Sequence, residues 1–483
     1  MNKRYLITVP PPTPNGDLHI GHLSGPFLAA DVLSRIFKLN NKQYQYPFST
    51  DSFQSYVTFK AFQLGKSPKQ VSVDNTNNIL NTLQKLNVHL DFYNPFRIEH
   101  QKYTQKLFVD LYEKGVFIKK TIKINHCEQC NQYLYEAYVI GECPHCAHQC
   151  GGSYCEKCGL PNDSETLQYP KCKKCGRDAQ LKELDVIVFP IEKYKPFLKN
   201  FYRKYNYLWR KNTQNYTKEI INKHLNDIIL TNMNDWGINV PIRGFEGQVI
   251  NAWFEILPGH INNSDSQDSL WNKESNSETN IIQFFGFDNI FYYLVMYPAL
   301  LHAMNNKIIP KYFYSNEFYL INGDKFSTSR GNAIWGKDFI DEYTCDFVRY
   351  YLSLTSPETQ QTSYQPKEVA KEYENFKELN MLISTIESLN REITEPIALL
   401  LETYTERFYQ AFQLEVFSLK TIATLIKEFI TEIKNLNALD NFHILKSLAV
   451  FSYPIMPDFS KTITEKTKTA LLWNELFGSV QQL

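Results

Sequence analysis

Apolar residues along this chain repeat in two ways, and each change of period marks an element. Residues 5–9 form a short continuous apolar run rich in β-formers, the pattern of a buried strand. From His22 onward, Leu23, Phe27, Leu28 and Val32 recur at helical spacing, so a strand, a turn and a helix are predicted in that order. Residues 44–48 predict a second strand and 56–64 a helix. Residues 248–254 read as another strand with Trp253 near its end, and 281–286 as a buried strand. Between them, the Asn/Ser-rich residues 262–280 predict a solvated loop. Residues 347–354 predict a helix, 356–367 a linker, and from Val369 to Leu476 the spacing stays helical, broken at Pro454 and Pro457. Strands alternating with helices predict an α/β fold with a parallel sheet, which binds ligands at its strand carboxyl ends.

The first such end carries a candidate site. Asn15-Gly16 and then His19-Ile20-Gly21-His22 lie between the first strand and its helix. Gly16 and Gly21 let backbone approach a ligand, and free N–H groups at a helix start suit phosphate. Two imidazoles there can donate hydrogen bonds to phosphoryl oxygens as charge builds in a transition state. Asp51 follows the second strand and faces the same crevice. Far downstream stands Lys325-Phe326-Ser327-Thr328-Ser329-Arg330-Gly331.

Composition narrows the class. A chain of 483 residues exceeds one core and suggests two or three domains. Lys+Arg and Asp+Glu both number 51, so no global basic field points to nucleic acid, although a local basic face stays open. The chain enters its first strand with no apolar leader, and its longest apolar run, 291–304, is too short and aromatic to span a bilayer, so no membrane partner is expected. Of ten cysteines, eight form Cys-x-x-Cys pairs, which read as metal ligands in a reducing, cytoplasmic compartment. The pairs Cys127/Cys130, Cys143/Cys146, Cys155/Cys158 and Cys172/Cys175 supply two closed Cys₄ sites for two structural Zn²⁺. Spacing leaves open which pairs share a metal. Cys150 and Cys345 are expected to be packing residues.

The His19-Ile20-Gly21-His22 and Lys325-Phe326-Ser327-Thr328-Ser329 stretches, in this order and separation, resemble the HIGH and KMSKS signatures of class I aminoacyl-tRNA synthetases, most closely methionyl-tRNA synthetases of the archaeal type. The resemblance implies a doubly wound parallel, Rossmann-like catalytic domain with a zinc-binding insertion and a C-terminal α-helical bundle. The expected divisions are 1–117 and 236–367 for the two catalytic halves, 118–185 for the zinc-knuckle insertion, 186–235 for a connective segment and 368–483 for a bundle like an anticodon domain. It implies ATP and Mg²⁺, with His19, His22 and Lys325 as catalytic residues. Asn15, Gly16, Gly21, Asp288, Ser327 and Ser329 would bind ATP, and Asp51 the amino group of an amino acid. It also implies nested metal sites, Cys127 and Cys130 with Cys172 and Cys175, and Cys143 and Cys146 with Cys155 and Cys158.

Departures from the family pattern concentrate in the amino-acid pocket. After Asp51 the family continues with an acidic residue, histidine and glycine; here stand Ser52, Phe53 and Gln54. Thr231 and Trp236-Gly237 remain, but Asn232 and Met233 replace a charged pair. Glu-Ala-Pro-Ile-Gly-Tyr becomes Glu255 to His260, and Phe287 replaces the lysine before Asp288. The resemblance aligns Pro11, Thr13, Trp253, His260 and Tyr293 with pocket residues beside Asp51, of which Trp253 alone is unchanged. Ser384 and Ser388 align with anticodon-reading Asn and Arg, and the Pro-Trp stretch before the last helices is missing. The implied activity is an AMP-forming, ATP-dependent ligase that activates an amino acid. It passes the amino acid to a small amine or hydroxylamine, like the synthetase-like part of hydrazine synthetases in natural-product pathways. A monomer working with a separate enzyme such as a cupin is expected, and tRNA is a less favoured partner. The competing readings are an authentic methionine–tRNA ligase and a non-catalytic binding protein. Retention of His19, His22, Asp51, Asp288 and Lys325 speaks against the last.

Overall fold

The computed structural model describes residues 3–478 except 156, 163, 224, 263–269, 274–277, 322, 323 and 326–332, with backbone alone at 153, 324 and 325. Its central sheet has four parallel strands, β1 (Arg4–Thr8), β2 (Gln43–Gln45), β3 (Thr279–Gly286) and β4 (Tyr312–Asn316), in the order β4-β3-β1-β2. β1 lies against β3 with Leu6 opposite Ile281, so two segments distant in sequence share the centre. Both faces are covered, which is why these strands read as continuous apolar runs rather than alternating ones.

The helix predicted from His22 is interrupted. A short turn, Ile20–His22, passes into a π turn, Leu23–Phe27, before α1 (Leu28–Leu39). Gly25 leaves helical geometry there at φ −113° and ψ −121°. A Cβ at Gly25 would stand 2.7 Å from Asn316 Nδ2, so only glycine admits this approach of β4's end. The strand expected over 44–48 is split as well: β2 pairs with β1, while Pro47–Phe48 pairs with Asp91–Phe92. Helix α2 (Ser55–Leu64) follows as expected.

Three further expectations are corrected. The run 248–254 is strand only over Gln248–Ile250; α3 (Ala252–Asn262) then begins, placing Trp253 in its first turn. The Asn251 side chain accepts from Trp253 N at 2.8 Å and starts the helix, a signal hidden because an all-round buried helix has no periodicity to distinguish it from a strand. Within 262–280, Leu270 and Trp271 are buried rather than solvated, and Trp271 Nε1 donates to His260 O at 3.0 Å. In the expected linker 356–367, Ser356 and Glu358 are buried, and Glu358 accepts from Arg210 Nη2 at 2.7 Å and Leu419 N at 2.8 Å.

The insertion is a long antiparallel hairpin, Ile118–Cys127 against Gln180–Phe189, with the cysteine pairs beyond its tip. The hairpin strand runs on through residue 185, where the sequence suggested a division. Past α4 (Cys345–Leu354), the C-terminal part is helical, with segments Pro366–Ser384, Glu395–Ala411, Leu419–Asn435, Phe442–Ser452, Pro457–Thr467 and Trp473–Phe477. Its apolar centre, including Phe408 stacked on Phe451 at 4.0 Å, is continuous with one face of the central sheet. A buried hub joins these parts: Arg349 on α4 donates to Asp31 on α1 at 2.7 Å, and Asp31 also holds Arg35 at 2.7 Å. Among the described residues, no helix is long and apolar enough to cross a membrane.

Candidate nucleotide and amino-acid site

The two histidines sit where β1 gives way to its helix. Their rings stack at 3.7 Å and 19°. His22 Nδ1 accepts from His19 N at 3.3 Å, which leaves the neutral ring's proton on Nε2, the donor a phosphate oxygen needs. Asp17 locks the turn: its carboxylate accepts from Leu18 N at 2.7 Å and from the Thr82 hydroxyl at 2.9 Å. Burial pushes the Asp17 carboxyl up against the pull of those two donors. Asn15, Gly16 and Gly21 are half-buried along the same turn.

The backbone just after the second signature meets the first. Ile20 N donates to Ile334 O at 3.0 Å, and Gly336 N to Leu18 O at 2.8 Å. A Cβ on Gly336 would meet Leu23 Cδ1 at 2.6 Å, so a larger residue at this crossing would displace the Leu23 side chain. Lys325 lies on a short strand with its backbone opposite Leu320. Ser327 and Ser329 fall outside the described residues. Asp288 stands on the turn Phe287–Asn289 at the end of β3, on the same edge of the sheet, and accepts from Asn289 Nδ2 at 2.9 Å. Phe287 packs edge-on against Tyr216, with ring centroids 6.0 Å apart.

The amino-acid side gathers around Asp51. It is buried, its N–H donates to Pro12 O at 3.0 Å, and its Oδ1 has no hydrogen-bond partner. Burial, then the charge of Glu255, pushes its carboxyl well above the usual range, against the pull of the Gln54 side chain. A buried carboxylate without an ion pair is costly, and an ammonium group is the ligand that relieves it. Pro11 and Thr13 flank Pro12 in the half-buried loop. Trp253 stacks on Tyr292 at 3.7 Å and 4°, and its carbonyl accepts from Tyr297 OH at 2.8 Å. His260 Nε2 and Tyr293 OH are hydrogen-bonded at 3.1 Å, both buried. Burial holds His260 down to about 4, so the imidazole is neutral at physiological pH. Asp51, Trp253, His260 and Tyr293 are thus brought to one region.

Several neighbours escaped sequence reasoning. Glu255 pairs with buried His100, and Tyr93 OH occupies the space that a Cβ on Gly259 would need. Glu136 enters from the insertion and accepts from Ser55 Oγ at 2.8 Å. Tyr292 had a signal, since it adjoins Tyr293. His100 and Glu136 had none, because only folding brings their segments here.

The eight paired cysteines form two tetrads, Cys127, Cys130, Cys172 and Cys175, and Cys143, Cys146, Cys155 and Cys158, each with all sulfurs within 4.8 Å. This is the nested arrangement. Sulfur separations such as 3.5 Å (Cys127–Cys175) and 3.8 Å (Cys143–Cys158) bracket the edge, about 3.8 Å, of a tetrahedron with Zn–S bonds of about 2.3 Å. In all four knuckles the residue after the second cysteine has positive φ: Asn131 44°, Ala147 55°, Gly159 71° and Gly176 76°. Both tetrads can therefore hold zinc. Cys150 lies beside the inner one, its sulfur accepting from Asn162 Nδ2 at 3.4 Å. In the bundle, Ser384 is exposed and donates to Met381 O at 2.7 Å, Ser388 is exposed, and Trp473 is buried.

Comparison with known proteins agrees with this architecture. The methionine–tRNA ligase of Porphyromonas gingivalis is 32% identical over 372 residues, 75% of this chain and 54% of that protein. The Methanobrevibacter smithii enzyme is 30% identical over 368 residues, 75% of this chain and 55% of the relative. The chain thus spans about half the length of these curated relatives, at 54% and 55%. The solved Mycobacterium tuberculosis methionyl-tRNA synthetase in complex with methionyl-adenylate shares the fold with a TM-score of 0.77 at 16% identity, covering 99% of this chain and 96% of that one. The model of the family described as tRNA synthetases class I (M) matches residues 5–387, both signatures included, and the chain belongs to that family.

Proposed function

We propose that this chain is an ATP-dependent ligase that activates an α-amino acid as its adenylate and transfers it to a small amine or hydroxylamine. In the first step a carboxylate oxygen attacks the α-phosphorus of ATP, and the bond to the β-phosphate oxygen breaks, releasing pyrophosphate. His19, His22 and Lys325 stabilise the charge that gathers on the α-phosphate, and Ser327 and Ser329 help hold the nucleotide. Asn15, Gly16 and Gly21 receive the phosphates along their backbone, and Asp288 the ribose. Bound Mg²⁺ would neutralise the departing phosphates, and zinc held by the two cysteine tetrads would stiffen the insertion. Asp51 pairs with the α-ammonium, and Pro11, Thr13, Trp253, His260 and Tyr293 surround the side chain. In the second step the acceptor nitrogen or oxygen attacks the acyl carbon, and AMP leaves.

The observation that carries a substrate other than methionine is the buried His260–Tyr293 hydrogen bond. That pair puts polar atoms among the residues proposed to surround the side chain, where thioether recognition would rely on apolar packing. Exposed Ser384 and Ser388, in a bundle whose Trp473 is buried, support an acceptor other than tRNA, since base reading uses stacking faces and edge-reading groups. A separate enzyme such as a cupin would then consume the product. Identity of about 30% to methionine–tRNA ligases favours the second reading, charging of tRNA with methionine. Pyrophosphate exchange across a panel of amino acids, followed by AMP release with and without hydroxylamine, tests the first. Efficient methionylation of tRNA would replace it with the second.

A further inference from the structure

The inner cysteine tetrad stands against the turn that carries Asp288. Its second knuckle, Cys155/Cys158, is flanked by Tyr154 and by Gly159, and both neighbours meet Phe287. Tyr154 OH donates to Phe287 O at 3.1 Å. Ile290 N donates to the same carbonyl, so both of its lone pairs are used. The Phe287 ring is met as well. A Cβ at Gly159, where φ is 71°, would stand 3.2 Å from that ring and 3.0 Å from the ring of Tyr216. Tyr216 closes the group: it packs edge-on against Phe287 with ring centroids 6.0 Å apart, and its hydroxyl donates to Gly159 O at 2.8 Å. The knuckle is itself tied by Gly159 N to Cys155 O and by Cys155 N to Leu160 O, each at 3.0 Å. Leu160 is buried in the same apolar cluster as Ile290.

We propose that this knuckle is a bracket for the nucleotide turn, with Tyr154 a positioning residue that fixes the Phe287 carbonyl and, through the shared peptide, Asp288. The inference rests on the reading that Asp288 receives the ribose of ATP. Phe287–Asn289 is one short 3₁₀ turn, whose hydrogen-bond geometry is poorer than that of an α-helix, so a brace from outside decides where its middle residue stands. The family pattern has a lysine where Phe287 stands; here an apolar ring fills the space that Gly159 leaves. A tyrosine that only packed would satisfy its hydroxyl with any acceptor at hand. Tyr154 takes the carbonyl directly before Asp288.

The test uses the full chain labelled with ¹³C-carbonyl phenylalanine and ¹⁵N-aspartate. Phe287-Asp288 is the only Phe-Asp step in the sequence, so a carbonyl-filtered spectrum holds one amide signal, that of Asp288. Tyr154→Phe is expected to move this signal, because the peptide loses a donor on its carbonyl. In amino-acid-dependent pyrophosphate exchange it should raise the ATP KM about 2- to 10-fold, the worth of one neutral hydrogen bond. The amino-acid KM should stay unchanged, since the ring remains 5.8 Å from that of Tyr292. Zinc content should keep its wild-type value. An unmoved signal, an equal rise in both KM values, or an unchanged ATP KM in a chain whose Asp288→Ala variant binds ATP more weakly would overturn the proposal. So would a loss of zinc, which would make Tyr154 a support of the knuckle alone. Should Tyr154→Phe fail to fold, Gly159→Ala crowds the Phe287 ring from the same knuckle and is expected to move the signal; no movement there also overturns it. If Asp288→Ala leaves ATP binding at its wild-type strength in a calorimetric titration, the ribose reading fails, while the Asp288 amide signal still decides whether Tyr154 fixes the turn.

Discussion

Replacing Arg349 with leucine should destabilise the folded chain by about 4 kcal/mol, within the range of about 3–5 kcal/mol for breaking a buried ion pair. The guanidinium is fully buried on α4. Nε donates to Ile455 O at 2.7 Å, Nη1 to Leu86 O at 3.0 Å, and Nη2 to Asp31 Oδ2 at 2.7 Å and Pro454 O at 2.9 Å. Leucine would strip that donor from three carbonyls, each costing ~1–3 kcal/mol if left unpaired. Asp31 keeps Arg35 at 2.7 Å and His89 N at 3.1 Å, which holds the total below a simple sum. Lysine should recover little, because a single ammonium cannot serve four acceptors arranged as a fork. Urea unfolding followed by both circular dichroism and tryptophan fluorescence reads the loss and reveals any separate unfolding of the bundle. A cycle with Asp31→Asn isolates the pair itself. A loss of about 1 kcal/mol or less, the worth of a surface ion pair, would refute the claim that this hub welds the sheet to the bundle.

Three other outcomes are expected. Metal analysis of freshly purified, reduced protein should find close to two zinc per chain, and Cys143→Ser or Cys172→Ser should each remove about one; finding none would end the metal assignment. His22→Ala or Lys325→Ala should slow adenylate formation by ~10²–10³ while sparing ATP binding, as single-turnover kinetics and a binding titration can distinguish. Asp51 carries a folded-state pKa raised by burial and by Glu255, so its contribution to stability is present at low pH and lost as pH rises through that raised value. Asp51→Asn should therefore raise the Tm of the unliganded chain at neutral pH while abolishing amino-acid activation, and wild-type affinity for the amino acid should strengthen with pH across the same window. A lower Tm for Asp51→Asn at neutral pH would contradict the assignment of Asp51 as an unpaired buried carboxyl.

The sequence by itself determined the parts whose physics is local. Residues 5–9 and 281–286 had to be buried strands because a parallel sheet covered on both faces takes continuous apolar runs. His19 and His22 were legible because a strand, a glycine-bearing turn and a helix start make a phosphate-suited site within one short stretch. Cys-x-x-Cys turns present two thiolates to one metal from four residues, so eight ligands could be counted, although the nesting of the pairs needed either a resemblance or coordinates.

What only the tertiary structure decided is everything set by contacts between distant segments. Trp253 read as the end of a strand, since buried apolar residues carry no period that distinguishes the two elements, and the Asn251 cap fixed the helix instead. Trp271 read as loop, because an Asn/Ser-rich neighbourhood does not reveal one buried indole reaching His260 O. Arg349 lies on a helix the sequence predicts, but nothing near it in the chain announces the four acceptors from other segments that close around it. Glu136, placed among cysteines in the sequence, belongs in space to Ser55 beside the Asp51 segment. Hydrophobic period and turn chemistry act over a few residues, whereas a buried charge finds its partners only where the folded chain brings them.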